Sequence, residues 1–320
     1  MEIIENIRAQ KMIELAKEAC NSIGIECEEY SEHENTLYCK KINAKKNLNI
    51  YICAENECMK YITWFYQEKD DSKFERAARI VSLLNSSNFL GNFLFDVKTG
   101  HIGFEIISSY YKSTMHVSSI AEMILSTAVV VENFRGVVFD YLDDQIDETE
   151  AVERFVKGVV RHEMDMENEE DDEQEADVML DIICQALDSI NYRYERNNEE
   201  RTVFFLVQGD DLDFGNLFTV DDVYRTICLF TNLKIKFDKN DFDKIAYATC
   251  HASQRTINGG FFADDEGVYF KMVTAYNNSA ISPELVNRML EGACEVCDLF
   301  NDKFQDLADE KMTLEQFLKI

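Results

Sequence analysis

The chain has 320 residues, 46% of them hydrophobic and 12% aromatic, with a formal net charge of −29. That length gives room for about two domains, and that composition excludes a disordered chain. The charge opposes nucleic-acid binding, which is led by phosphate neutralisation, and it opposes anionic membrane surfaces.

The same charge gives solubility and permits attraction to a basic protein. The longest apolar runs, such as TAVVV at 127–131, fall short of the roughly 20 residues of a membrane span. The N-terminal stretch MEIIENIRAQKM carries acid where a signal peptide is basic, so a soluble cytoplasmic protein is expected. Ten cysteines scattered through helical and strand patterns read as buried thiols in a reducing compartment. A disulfide framework would need an export signal.

The first segment, 4–23, places Met12, Leu15, Ala16, Ala19 and Ile23 on one helical face, and Asn21 and Gly24 stop it. Strand-like runs follow at 25–30, 36–41, 48–53 and 59–67, joined by turns rich in Asn and Ser. LNIYIC at 48–53 alternates as a half-buried antiparallel strand should. Ser72 can cap a helix running to about Asn88. Gly91 opens a hairpin whose tight turn uses Gly100. The stripe Ile120, Ile124, Ala128, Val131, Phe134, Val138 and Leu142 then predicts a long helix, although VVV within it favours a strand.

A bridge follows. Val152, Phe155, Val156, Val159 and Val160 form one more amphipathic face. The run EMDMENEEDDEQEAD at 163–177 is almost pure acid, self-repels, and reads as an extended linker. Beyond it Met179, Ile182, Ile183, Ala186, Leu187 and Ile190 make a clean helical face. Strands are predicted at 191–196, 202–208, 216–220, 224–230 and 234–237. A long helix opens at Pro283, with Leu285, Met289, Ala293, Val296, Leu299 and Leu307 as its stripe. Thr313 and Gln316 form a capping-box pattern before Phe317 and Leu318, so a short terminal helix is expected.

The layout occurs twice. When Phe74 is laid on Phe242, Ala78 meets Ala246, Gly91 meets Gly259, Phe93 meets Phe261 and Asp96 meets Asp264. A shorter second hairpin loop then brings Ile102 onto Val268, Phe104 onto Phe270 and Tyr110 onto Tyr276. The prediction is an α+β fold of two tandem domains, each an antiparallel meander against helices, packed as a pseudo-dimer. The boundaries are 1–146 and 175–320, joined by 147–174.

Candidate chemistry is sparse, and no catalytic, cofactor-binding or metal-ligating set is predicted. Cys294 and Cys297 form the one CxxC, without a second pair at zinc-ribbon spacing; Cys53 and Cys58 are the nearest alternative. His162-Glu163 begins like HExxH, but Met166 stands where the second His should be. Asp211, Asp213 and Asp222 lie near a Gly without calcium-loop spacing. No phosphate-cradling Gly motif occurs.

Trp64, Phe65 and Tyr66 run consecutively in a strand, so they point to both faces of the sheet. Tyr66 shares the face of Trp64 by the two-residue period, and Tyr110 and Tyr111 flank it from the loop before the long helix. These four form the candidate partner-binding set, because exposed apolar patches mark partner sites. The alternative is ordinary packing.

The stretch RIVSLLNSSNFLGNFLFDVKTGHIGFEI at 79–107 resembles the YbjN-like domain family, which shares the fold of type III secretion chaperones. The shared pattern is a helix ending in Asn, a link to Gly and an aromatic, an Asp-to-Gly hairpin, then a loop and a long helix. The likeness is clearest over about 8–145 and weaker over 175–310, where Ser253 replaces Asn85. It implies a chaperone-like fold, no known catalysis, and binding of extended client segments along sheet and helix surfaces. The leading expectation is a non-catalytic cytoplasmic adaptor for a protein partner, as a monomeric pseudo-dimer or a homodimer. The alternatives are a metal protein or enzyme using Cys294 and Cys297 or the acidic cluster, and an acidic decoy for a nucleic-acid-binding protein.

Overall fold

Helix α1 (Glu2–Ser22) precedes strands β1 (Cys27–Glu29), β2 (Thr36–Cys39), β3 (Ile50–Glu55) and β4 (Cys58–Gln67). A single 3₁₀ turn (Asp71–Lys73) leads into α2 (Phe74–Ser86), the hairpin β5 (Asn92–Phe95) and β6 (His101–Ser109), the long α3 (Val117–Leu142), and α4 (Glu148–Asp165). The second half repeats the order: α5 (Glu170–Ser189), β7 (Tyr194–Asn197), β8 (Thr202–Gln208), β9 (Asp213–Asp221) and β10 (Thr226–Asn232). After another 3₁₀ turn (Lys239–Asp241) come α6 (Phe242–Ser253), β11 (Gly260–Asp264), β12 (Gly267–Ala275), α7 (Pro283–Ala308) and the short α8 (Leu314–Phe317). This computed structural model describes residues 2–40, 48–87, 90–112, 115–165, 170–208, 213–276 and 281–320. The expected turn at 43–47, the helix stop at Asn88, Met166 and Asp211 lie outside them, as do the side chains of Val159, Val160, His162 and Asp213.

Each half holds a six-stranded antiparallel sheet. The strand orders are β1-β2-β3-β4-β6-β5 and β7-β8-β9-β10-β12-β11, so the architecture is α+β and the second sheet repeats the first. Helices α1 and α3 pack on one face of the first sheet, and α5 and α7 on the second. The stripe predicted for α3 is buried at every position, and of VVV only Val129 is half-buried. Small details recur at equivalent places. Tyr110 N–H donates to the Glu57 carbonyl and Tyr276 N–H to the Arg225 carbonyl, both at 2.8 Å. Asn85 clamps Phe93, accepting from its N–H at 2.7 Å and donating to its carbonyl at 2.9 Å. Ser253 takes over that clamp in the second half, its Oγ accepting from Phe261 N–H at 2.8 Å. A Cβ on Gly91 would strike the Glu105 carbonyl, and one on Gly259 the Lys271 carbonyl, so both hairpins need glycine at their entry.

Five expectations are corrected. The predicted strand at 234–237 is irregular, because Lys234 takes a φ of 57° that an extended strand cannot hold. Residues 170–177 of the acidic run are helical: they form the start of α5, and Ala176 is buried. The cap before α2 comes from Asp70, whose Oδ1 accepts from Ser72 N–H at 3.0 Å. On α7, Leu299 is 58% exposed and Phe300 takes the core position, since Ala293, Cys297, Phe300 and Phe304 keep the helical period. Finally, α3 at 26 residues is long and apolar enough, by length and composition, to cross a membrane; half of its most apolar window is buried inside the fold. Reading uninterrupted runs missed it, because single polar residues such as Glu132 break the runs without breaking the helix.

The two halves share one core. Helix α2 lies against α6 and β11, and β6 runs beside β12, so equivalent elements meet, as in an isologous interface. Ser82 of α2 donates to the Ala263 carbonyl at 3.0 Å and accepts from Ala263 N–H at 2.7 Å. Lys271 is fully buried, and its ammonium donates to the Asn85 carbonyl in the last turn of α2 at 3.0 Å. Phe155 of α4 packs between Phe93 and Phe134, with ring centres 5.8 and 4.4 Å away. Phe317 of α8 does the same against Phe300 and Phe304.

Ser82→Ala leaves both polar groups of the buried Ala263 backbone without that partner, and it is expected to lower unfolding free energy by about 1–3 kcal/mol in urea titrations. Burial pushes the Lys271 ammonium down to about 7 from an ordinary 10.5. Between those values the unfolded chain binds more protons, so the native chain gains stability as pH rises through that window. Lys271→Met removes this dependence. Its stability relative to the native chain should therefore climb as pH falls from about 10.5 to about 7, which urea titrations at both ends would read; a flat difference refutes the burial of a titrating amine.

Candidate interaction face

The side of the first sheet away from α1 and α3 is built by strand alternation. Leu37, Cys39, Ile50 and Ile52 turn into the core, which leaves Tyr38 and Tyr51 on the opposite face. Register carries a row across the strands: Tyr38 stands opposite Tyr51, Tyr51 opposite Ile62, Ile62 opposite Glu105, and Glu105 opposite Asn92. Tyr30 joins at one end, its ring 5.2 Å from that of Tyr51, and Tyr38 lies 5.0 Å from Tyr51. These rings are half-buried. A neighbouring row runs from Trp64 to Gly103 to Leu94. Trp64 is 40% exposed, and a Cβ on Gly103 would run into its indole.

Of the four aromatic residues singled out from sequence, the structure places Trp64 alone on this open face. A β-bulge separates Trp64 from Tyr66: Trp64 pairs with Gly103 and Tyr66 with the next residue, Ile102. The extra residue reverses the alternation, so Tyr66 faces the helices, its ring 5.0 Å from Phe139 of α3. Tyr110 is 3% exposed and belongs to the core. Tyr111 is half-buried beneath Arg288 of α7, whose guanidinium sits 4.5 Å from the ring centre. A two-residue count cannot see a bulge, and a loop tyrosine gives no sign of its burial.

The open face runs into a cleft of about 400 Å³ between the halves. Its walls include Trp64, Leu94 and Asp96 from the first half and Ser253, Gln254 and Ile257 from the second. Lys60 and Glu105 form its floor on adjacent strands. Both are nearly buried, at 9% and 8% exposure. The Lys60 ammonium is 2.7 Å from Glu55. Burial pushes the Glu105 carboxyl up to about 7, against the opposing pull of Lys60. A signal for this site was present in the sequence: a lone charge interrupts each of the apolar strands HIGFEII and GVYFKMV, and the overlay of Phe104 on Phe270 puts Glu105 on Lys271. The Tyr38–Tyr51 pair was legible too, as the outward parity of two alternating strands.

Cys294 and Cys297 lie on α7, half-buried and buried respectively. Burial pushes the Cys294 thiol up to about 11 and raises that of Cys297 as well, so both are protonated at neutral pH and neither is an activated nucleophile. Among the described residues no group of three or more His, Cys, Asp or Glu is arranged to hold a metal ion.

Residues 179–306 match the model of the YbjN family, described as "Putative bacterial sensory transduction regulator". The match covers most of α5, all of the second sheet, α6, and α7 almost to its end. It falls on the half where the likeness was expected to be weaker, which reverses that ranking. No curated protein and no solved structure matches the chain. The second half is thus similar to the YbjN family, and the first half repeats its order of elements and strands.

Proposed function

We propose that the chain is a non-catalytic regulatory adaptor, chaperone-like in fold, that works in the cytoplasm by holding an extended basic segment of another protein against the open face of its first sheet. The observation that carries this reading is the row of Tyr38, Tyr51 and Ile62 with the exposed Trp64 beside it. Such patches mark partner sites, and aromatic residues dominate the anchors. The net charge of −29 favours a basic segment and speeds its encounter. The match to a family described as regulatory supports a signalling role over catalysis. In this reading 1–146 and 175–320 are the two units, 147–174 joins them, and the pair stands in a monomer where two subunits would stand in a dimer.

The test takes a partner captured by the native chain and compares it with the double variant Trp64→Ala, Tyr51→Ala. Affinity should drop tenfold or more, roughly 1.4 kcal/mol, while the circular-dichroism melt shows a folded protein. Native binding should also weaken steeply with salt, since exposed charges are screened. Full affinity in a folded double variant removes the face from the proposal. Light scattering that reports a dimer mass would replace the monomer.

A further inference from the structure

Two corresponding positions in the two sheets hold opposite buried charges. Strands β6 and β12 align through Phe104 and Phe270, so Glu105 corresponds to Lys271. The Lys271 side chain leaves β12, passes Phe262 with its nitrogen 5.9 Å from the ring centre, and ends 3.0 Å from the Asn85 carbonyl. The counterpart of that path in the first half starts at Glu105, passes Leu94 in the place of Phe262, and ends at Ser253 in the place of Asn85. Glu105, Leu94 and Ser253 all line the cleft of about 400 Å³. The cleft is therefore the space that a lysine fills in one half and that a shorter glutamate leaves open in the other.

We propose that this cleft binds a primary alkylammonium group, with its nitrogen at the Glu105 carboxylate and its alkyl chain along Leu94 and Trp64. The volume lies within the range of small-molecule sites. The indole at the mouth offers a π face to an entering cation, and the net negative field concentrates cations at the surface. Among the charges that face Glu105, Lys60 already interacts with the carboxylate and opposes a second cation, and Glu55 and Asp96 offset it. Lys60 on β4 is held by Glu55 at 2.7 Å. Asp96 in the β5–β6 hairpin adds negative charge, its Oδ1 accepting from Gln254 at 3.1 Å. Lys98 in the same hairpin is exposed, and burial keeps the Cys250 thiol of α6 protonated. A bound ammonium keeps Glu105 ionised, so affinity should fall as the pH drops below about 7. This inference is independent of the adaptor reading, and its variants leave Trp64 intact.

The experiment is calorimetric titration of the full chain at pH 8 with pentylamine, with Nα-acetyl-lysine methylamide, and with pentanol as the neutral control. Pentylamine should bind saturably and pentanol at least tenfold more weakly. Glu105→Gln keeps the shape and removes the charge, and it should weaken pentylamine about tenfold or more. Glu105→Lys should abolish binding by filling the cleft as Lys271 does. If that variant fails to fold, Glu105→Gln carries the test. Binding of both amines would point to a lysine side chain as the natural ligand, and binding of pentylamine alone to a free amine. Equal affinity in native chain and Glu105→Gln, or no saturable binding of either amine in the millimolar range, overturns the proposal.

Discussion

Each half of this chain closes the exposed sheet edge of the other, and much of the architecture answers to that constraint. β5 and β11 are edge strands, and an unpaired edge invites association with other chains unless it is covered. Ser82 of α2 supplies both a donor and an acceptor to Ala263 on β11. Gln254, just past α6, donates to the Phe95 carbonyl on β5 at 3.1 Å. Ala263 and Phe95 are equivalent positions, so the two edges are met at the same point by different polar side chains of the opposite halves. Helices α2 and α6 pack against each other, and Ala78 on one and Ala246 at the equivalent place on the other are both fully buried. Bulk at either position would push the helices apart and lift the edge-capping side chains from their strands.

The symmetry breaks where charge enters the core. A lysine at the β12 position is tolerable because its nitrogen meets the carbonyl end of α2, where the helix dipole favours a cation. A glutamate at the equivalent β6 position would face the carbonyl end of α6, where the same dipole opposes it. The structure instead sets Glu105 diagonally from Lys60 on the adjoining strand. One sign can bridge the halves at this position and the other cannot. A seam that is sealed on one side and open on the other follows from that difference.

The fold was legible because its signals were local and were given twice. The stripe of α3, ambiguous by propensity, was settled by the plainer stripe of α7, and Pro283 and Ser282 mark the start of α7. The capping box at Thr313 and Gln316 is realised in full. The failures were non-local or depended on one backbone angle. Lys234 looks like a strand residue until its positive φ is known. Charge repulsion alone predicts an extended acidic run, but its last residues begin a helix. The binding face was half legible. Trp64 is exposed as its strand parity predicts, yet the bulge at Phe65 turns Tyr66 to the other side, and Tyr38 and Tyr51 come together only through cross-strand register.

A net charge of −29 works against any compact state through self-repulsion. Where cations sit therefore matters more here than in a balanced protein. Several of them lie along the seam. Arg79 of α2 meets Glu148 of the first half and Asp243 of α6, the latter at 2.8 Å, while its guanidinium stacks 4.5 Å from the Phe242 ring. Glu57 of the first half receives Arg8 at 2.6 Å and lies 3.6 Å from Arg288 of α7. Isolated surface ion pairs contribute little, but these join acidic surfaces from two halves that would otherwise repel. The seam then rests on three unlike contacts: edge strands met by polar side chains, a lysine on a helix end, and arginines between carboxylates. Only the last weakens appreciably with salt, so added salt should loosen the arginine links while leaving the buried edge caps in place.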